Sequence, residues 1–98
     1  QDGLIDWKKP AEVIQRQIRA FIDWPKSYTK LANTDVIITD AKISKSKGRP
    51  GDTTVIDKQL IVFCGQDSII INKLIPSGKK EMDASAFING HQDYFVSS

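Results

Sequence analysis

Gln59-Leu60-Ile61-Val62-Phe63-Cys64, then Gly65-Gln66-Asp67, then Ser68-Ile69-Ile70-Ile71-Asn72-Lys73-Leu74-Ile75: two runs rich in β-branched side chains stand either side of three residues of turn character. Branching at Cβ removes rotamer freedom in a helix and suits a pleated surface, so the pattern predicts two neighbouring strands. Just upstream, Asp57-Lys58 reads as a tight connection back to a run from Thr53 to Ile56, which Gly51-Asp52 opens as a turn. Further upstream, Tyr28 to Leu31 and Val36 to Ile43 flank Ala32-Asn33-Thr34-Asp35, a hairpin connection, and Ser44 to Pro50 reads as a loop. Five or six strands in roughly fifty residues imply a sheet that curls on itself, because a closed or nearly closed barrel leaves few edges open to aggregation.

Helices are expected on both flanks of this unit. Pro10 suits a first helical turn, where its missing N–H has no intrahelical partner, and no Gly or Pro interrupts Ala11 to Phe21. Val13, Ile14, Gln17, Ile18 and Phe21 fall on one stripe, and Trp24-Pro25 stops the helix because proline disfavours helical geometry in the residue before it. Near the other end, Asp83 is placed to cap a short helix from Ala84 to Asn89 that Gly90 terminates, and Tyr94-Phe95-Val96 would return as a final strand or packed tail. The fold class expected is mainly β: a small open β-barrel, OB-fold-like, with an N-terminal amphipathic helix and a short C-terminal helix around a core of isoleucines.

Ninety-eight residues, 40% apolar and 27% charged, have the balance of one globular domain. A chain this short has little room for an enclosed catalytic cavity, so a complete cofactor enzyme is not expected. Apolar runs such as Leu60 to Cys64 fall far below the roughly 20 residues of a spanning helix, which argues against a membrane role. Gln1-Asp2-Gly3, with no basic-then-apolar leader, reads as the start of a piece cut from a longer protein. Cys64 is the one cysteine; it cannot form an internal disulfide and reads as a small core residue of a reduced, cytoplasmic protein.

Catalytic chemistry is hard to place. His91 is the only histidine, so neither a histidine-rich nor a thiolate metal site can be assembled, and no metal is expected. His91 with Asp93 is too local for a Ser/His/Asp arrangement. Gly48-Arg49-Pro50-Gly51 has glycines but lacks the lysine of a phosphate-cradling loop, and Glu81 and Asp83 sit in a lysine-flanked stretch where nothing would raise a pKa. No catalytic residue is assigned. What remains is charge: Lys42, Lys45, Lys47 and Arg49 lie between Ala41 and Gly51 without an acid, and Lys79-Lys80 forms a second cluster. Charge alone favours a solvated face over a binding surface, since the net is only +2. The aromatics Trp7, Trp24, Tyr28, Phe63, Tyr94 and Phe95 are expected mostly to pack the helix on the barrel, so phosphate contacts are a better expectation than base stacking.

Three strings add a family resemblance. Gly3-Leu4-Ile5-Asp6-Trp7, then Ile18-Arg19-Ala20-Phe21 with Trp24-Pro25, then Pro76-Ser77-Gly78-Lys79-Lys80-Glu81-Met82, together resemble in order and spacing the carboxy-terminal region of methionyl-tRNA formyltransferase across nearly the whole chain. Where that family usually reads Asn-Pro before its Trp-Pro, this chain has Ile22-Asp23. The resemblance implies that residues 1–98 are a single OB-like, tRNA-binding domain. It also implies a parent whose own N-terminal catalytic domain, not part of this sequence, formylates the amino group of initiator methionyl-tRNA from the cosubstrate 10-formyltetrahydrofolate. No cofactor is implied for this part itself. Lys79 and Lys80 match the family string, and Arg16 and Arg19 match its helix; these are candidate tRNA contacts, joined on electrostatic grounds by Lys42, Lys45, Lys47 and Arg49.

Two other readings remain open at this level. One is the barrel of a related folate-dependent formyltransferase or hydrolase whose acceptor is a nucleotide sugar or water. The other is a non-enzymatic barrel that makes protein contacts only.

Overall fold

The computed structural model describes residues 4–20, 27–92 and 94. The expectations for Phe21, Trp24-Pro25, Ile22-Asp23, Asp93, Phe95 and Val96 lie outside the described residues. The elements run α1 (Ala11–Ala20), β1 (Tyr28–Leu31), β2 (Thr34–Ser44), β3 (Thr53–Ile56), β4 (Gln59–Phe63), β5 (Ser68–Pro76), β6 (Met82–Asp83) and α2 (Ala84–Gly90).

All strand pairs are antiparallel, in the order β1-β2-β5-β4-β3, with β6 added to β5. β3, β4 and β5 follow one another as a meander, and the long connection 45–52 lets β2 lie beside β5, which is Greek-key topology. The sheet is the mainly β, open half-barrel the sequence suggests, and it stops short of closure: among the described residues β1 and β3 end the main strand order, and the two-residue β6 pairs with β5 alone. Part of the β1 edge is covered by the N-terminal segment, where Leu4 bridges Tyr28 in parallel and the Ile5 N–H donates to the Tyr28 carbonyl at 3.0 Å.

Alternation explains most of the core. Val36, Ile38, Leu60, Val62, Ile69 and Ile71 turn to one side of the sheet, Leu74 rejoins that side across the irregular register at Asn72, and α1 contributes Ala11, Ile14 and Ile18 while α2 contributes Ala84 and Phe87. Val13, at the edge of the predicted α1 stripe, is exposed. A bulge interrupts the β2–β5 ladder around Asp40, which returns Ala41 to the buried side. The Ala41 carbonyl then accepts from the Gln15 side chain at 3.4 Å, tying α1 to the bulge.

Several boundaries differ from the sequence reading. The first hairpin turns on two residues, not four: Ala32 and Asn33 both have positive φ, 52° and 61°, so Thr34 already pairs with Leu31. Asp57 and Lys58, at 52° and 66°, repeat this turn. β4 ends at Phe63 and Cys64 opens the corner; β5 continues to Pro76, whose missing N–H is tolerated at a strand end. Asp83 precedes α2 in extended geometry but makes no side-chain capping bond, being held in β6 opposite Lys73. Gly90 is the last helical residue, not a left-handed terminator, and the His91 N–H closes the turn on the Ile88 carbonyl. Tyr94 sits in a turn rather than a strand.

Candidate nucleic-acid interface

Lys45, Lys47 and Arg49 stand on a connection that is firmly seated. Ser44 and Ser46 are half-buried and bonded to each other, Oγ to Oγ at 3.3 Å, with the Ser46 N–H donating to Ser44 Oγ. The lysines between and beyond them are therefore turned outward and exposed. Gly48 rests on the Phe63 ring so closely that a Cβ would stand 2.6 Å from Phe63 Cδ2. Arg49-Pro50-Gly51-Asp52 closes with the Asp52 N–H on the Arg49 carbonyl at 3.0 Å; Pro second and Gly third, with φ of 90°, are the residues a type II turn requires. The Gly51 N–H donates to the Phe63 carbonyl and the Phe63 N–H to the Asp52 carbonyl, binding the loop to β4. Phe63, half-buried, thus has part of its ring packed against the basic loop.

The same end of the sheet receives the N-terminal turn. The Gly65 N–H donates to the Lys9 carbonyl at 3.0 Å, Pro10 bridges Gln66, and the Ala11 N–H donates to the Gln66 carbonyl at 2.8 Å. Trp7, half-buried beside Gly51, donates from Nε1 to Thr29 Oγ1 at 3.0 Å, so it packs rather than offers a stacking face. Lys8 and Lys9, both exposed, consequently join the corner that carries Lys45, Lys47 and Arg49. Asp6, Asp52, Asp67 and, one residue beyond Ala11, Glu12 lie on the same segments and bring negative charge to this corner.

The other predicted cations are distributed differently. Lys42 belongs to strand β2, opposite Ile70, rather than to the loop, and is exposed. Arg16 and Arg19 lie on the exposed side of α1; Arg16 is paired with Glu12 one turn earlier at 2.8 Å, a solvent-exposed pair worth only a few tenths of a kcal/mol. Lys79 and Lys80 follow the turn at Pro76-Ser77-Gly78, where the Lys79 N–H donates to the Pro76 carbonyl and Gly78 has φ of 77°. That turn is at the far end of β5 from Ser68, roughly 25 Å of strand away from the basic loop. The structure therefore separates Lys79 and Lys80 from the loop cations. Lys8 and Lys9, two adjacent bases ahead of a helix, are the cations a search for acid-free runs passes over.

Among the described residues no three of His, Cys, Asp and Glu converge as metal ligands, and no helix is long and apolar enough to cross a membrane. His91 is engaged locally: Nδ1 lies 2.9 Å from the Phe87 carbonyl, and the ring packs on Phe87 with centroids 4.2 Å apart. Cys64 is buried, with Sγ directed at the Val62 carbonyl, and burial, aided by the negative charge of Asp67, pushes its thiol from 9.0 up to about 11. Because folding favours the neutral thiol, its contribution is intact below pH 9 and is lost as pH rises towards 11. Denaturant titrations should show wild type losing about 2 kcal/mol more than Cys64→Ala over that interval. Parallel loss would mean that the fold does not hold the thiol neutral.

With this geometry in view, comparison defines the class. A family model described as "Formyl transferase, C-terminal domain" matches residues 1–92, and the chain belongs to that family. Two curated relatives named methionyl-tRNA formyltransferase are those of Trichlorobacter lovleyi, 40% identical over 93% of this chain, and Chlamydia caviae, 32% identical over 96%. The chain spans 29% and 32% of their lengths. Among solved structures, HypX from Aquifex aeolicus in complex with tetrahydrofolic acid superposes with a TM-score of 0.77 at 14% identity, over 93% of this chain and 17% of that one, a likeness of fold.

Proposed function

We propose that this chain is the tRNA-holding C-terminal domain of a cytoplasmic methionyl-tRNA formyltransferase. Its upstream catalytic domain would transfer the formyl group of 10-formyltetrahydrofolate to the amino group of initiator methionyl-tRNA. Family membership and the names of relatives at 30–40% identity support this acceptor over a nucleotide sugar or water. The observation that carries the reading is that Arg16, Arg19, Lys42, Lys45, Lys47, Arg49, Lys79 and Lys80 are all exposed on a member of this family. Cations of this kind neutralise phosphates and set the position of an RNA without reading its sequence. Discrimination of the initiator then falls to the domain that meets the acceptor end.

Replacing Lys79 and Lys80 together with alanine in the full-length protein should raise the KM for methionyl-tRNA several-fold while leaving folate affinity and kcat nearly unchanged, because a positioning contact contributes equally to ground and transition states. Unchanged tRNA kinetics would reduce the pair to a solvated turn.

A further inference from the structure

We propose that Lys8 and Lys9, together with Lys45, Lys47 and Arg49 on the loop that Gly48 seats against Phe63, form one contact for the phosphodiester backbone of RNA. The inference rests on the tRNA-holding reading and adds to it two residues and a positioning device. The two segments are far apart in sequence, yet both are bound to the β4–β5 corner, one through Gly65 and Gln66 and the other through Phe63. Neither is free to drift from the other without breaking backbone hydrogen bonds.

The chemistry favours a phosphate chain over a folded acidic protein. All five cations are exposed on turns or irregular loop, and the two nearby aromatics, Trp7 and Phe63, are engaged in packing; among the described residues that leaves Ile43, 38% exposed at the base of the loop, as a single aliphatic side chain rather than the aromatic anchor on which protein interfaces depend. Inward serines and outward lysines alternate from Ser44 to Lys47, which displays successive charges on one side of the loop. A loop fixed in this way loses little conformational entropy when it settles on a polyanion, and cations so held give up less of their attraction to ordering. Gly48 is then a positioning residue: any side chain there must displace either the Phe63 ring or the loop.

The test uses a fluorescently labelled unmodified tRNA transcript titrated with this chain and its variants at low and moderate salt. Lys8→Gln with Lys9→Gln should weaken binding about ten-fold at low salt and make the slope of log affinity against log salt shallower by about 2, the loss of two phosphate contacts. Gly48→Ala, which alters no charge, should weaken binding several-fold while its circular dichroism stays that of wild type. If wild type binds with salt dependence but both variants bind as wild type does, the proposed contact is wrong and the tRNA-holding reading stands. If wild type itself does not bind, that reading fails first. Should Gly48→Ala fail to fold, the lysine pair, whose side chains are exposed, decides the matter alone.

Discussion

Gly65→Ala should lower the stability of the chain by about 3 kcal/mol, and its melting temperature by roughly 15 °C. A Cβ at this position would overlap the carbonyl oxygen of Lys8, a backbone atom that cannot rotate out of the way. Relief requires the N-terminal turn to lift from the corner. Lifting it breaks the bond from the Gly65 N–H to the Lys9 carbonyl and that from the Ala11 N–H to the Gln66 carbonyl, and it pulls α1 away from β2 and β5. Overpacking alone costs about 1–3 kcal/mol, and two displaced hydrogen bonds add about 1 kcal/mol each. Gly90→Ala is the matched control, since a Cβ there meets nothing and the residue is helical. It should be neutral or stabilising by about 0.5 kcal/mol. Thermal denaturation of the two variants side by side reads the difference; a Gly65→Ala chain as stable as wild type would mean that the turn is not bound to the corner.

That contact shows where sequence reading reaches its limit. The strands were legible because each run of β-branched residues advertises its own conformation, and α1 because Ile14 and Ile18 repeat at helical spacing from Pro10. The two-residue hairpin turn is hidden in the sequence because only one of its two left-handed residues, Asn33, is of a type that accepts positive φ readily, while Ala32 gives no signal. The bulge at Asp40 depends on what β5 places opposite it, and no local property of β2 reports that. The candidate cations fared similarly. Lys45, Lys47 and Arg49 were visible as an acid-free run, but Lys8 and Lys9 join them only because the β4–β5 corner gathers both segments. Lys79 and Lys80 matched the family string yet lie at the other end of the sheet, a separation that belongs to topology and not to spacing.

The second large effect concerns salt. The five corner cations by themselves give log affinity for tRNA a slope of about −4 against log salt, which the contacts proposed for Lys79 and Lys80 steepen further, so raising salt from about 50 to about 200 mM weakens binding by at least roughly two orders of magnitude. Each phosphate neutralised releases condensed counterions, and that release loses its entropic advantage once the bulk already holds many ions. A domain that met its partner through apolar contacts would show almost no such slope, because salts at these concentrations scarcely change the free energy of burying hydrocarbon. Titrating the labelled transcript with the chain over this range is therefore the most direct measurement. Binding that is tight at low salt and falls steeply along a straight double-logarithmic line is the predicted result; no binding at low salt, or an affinity indifferent to added salt, would contradict the account.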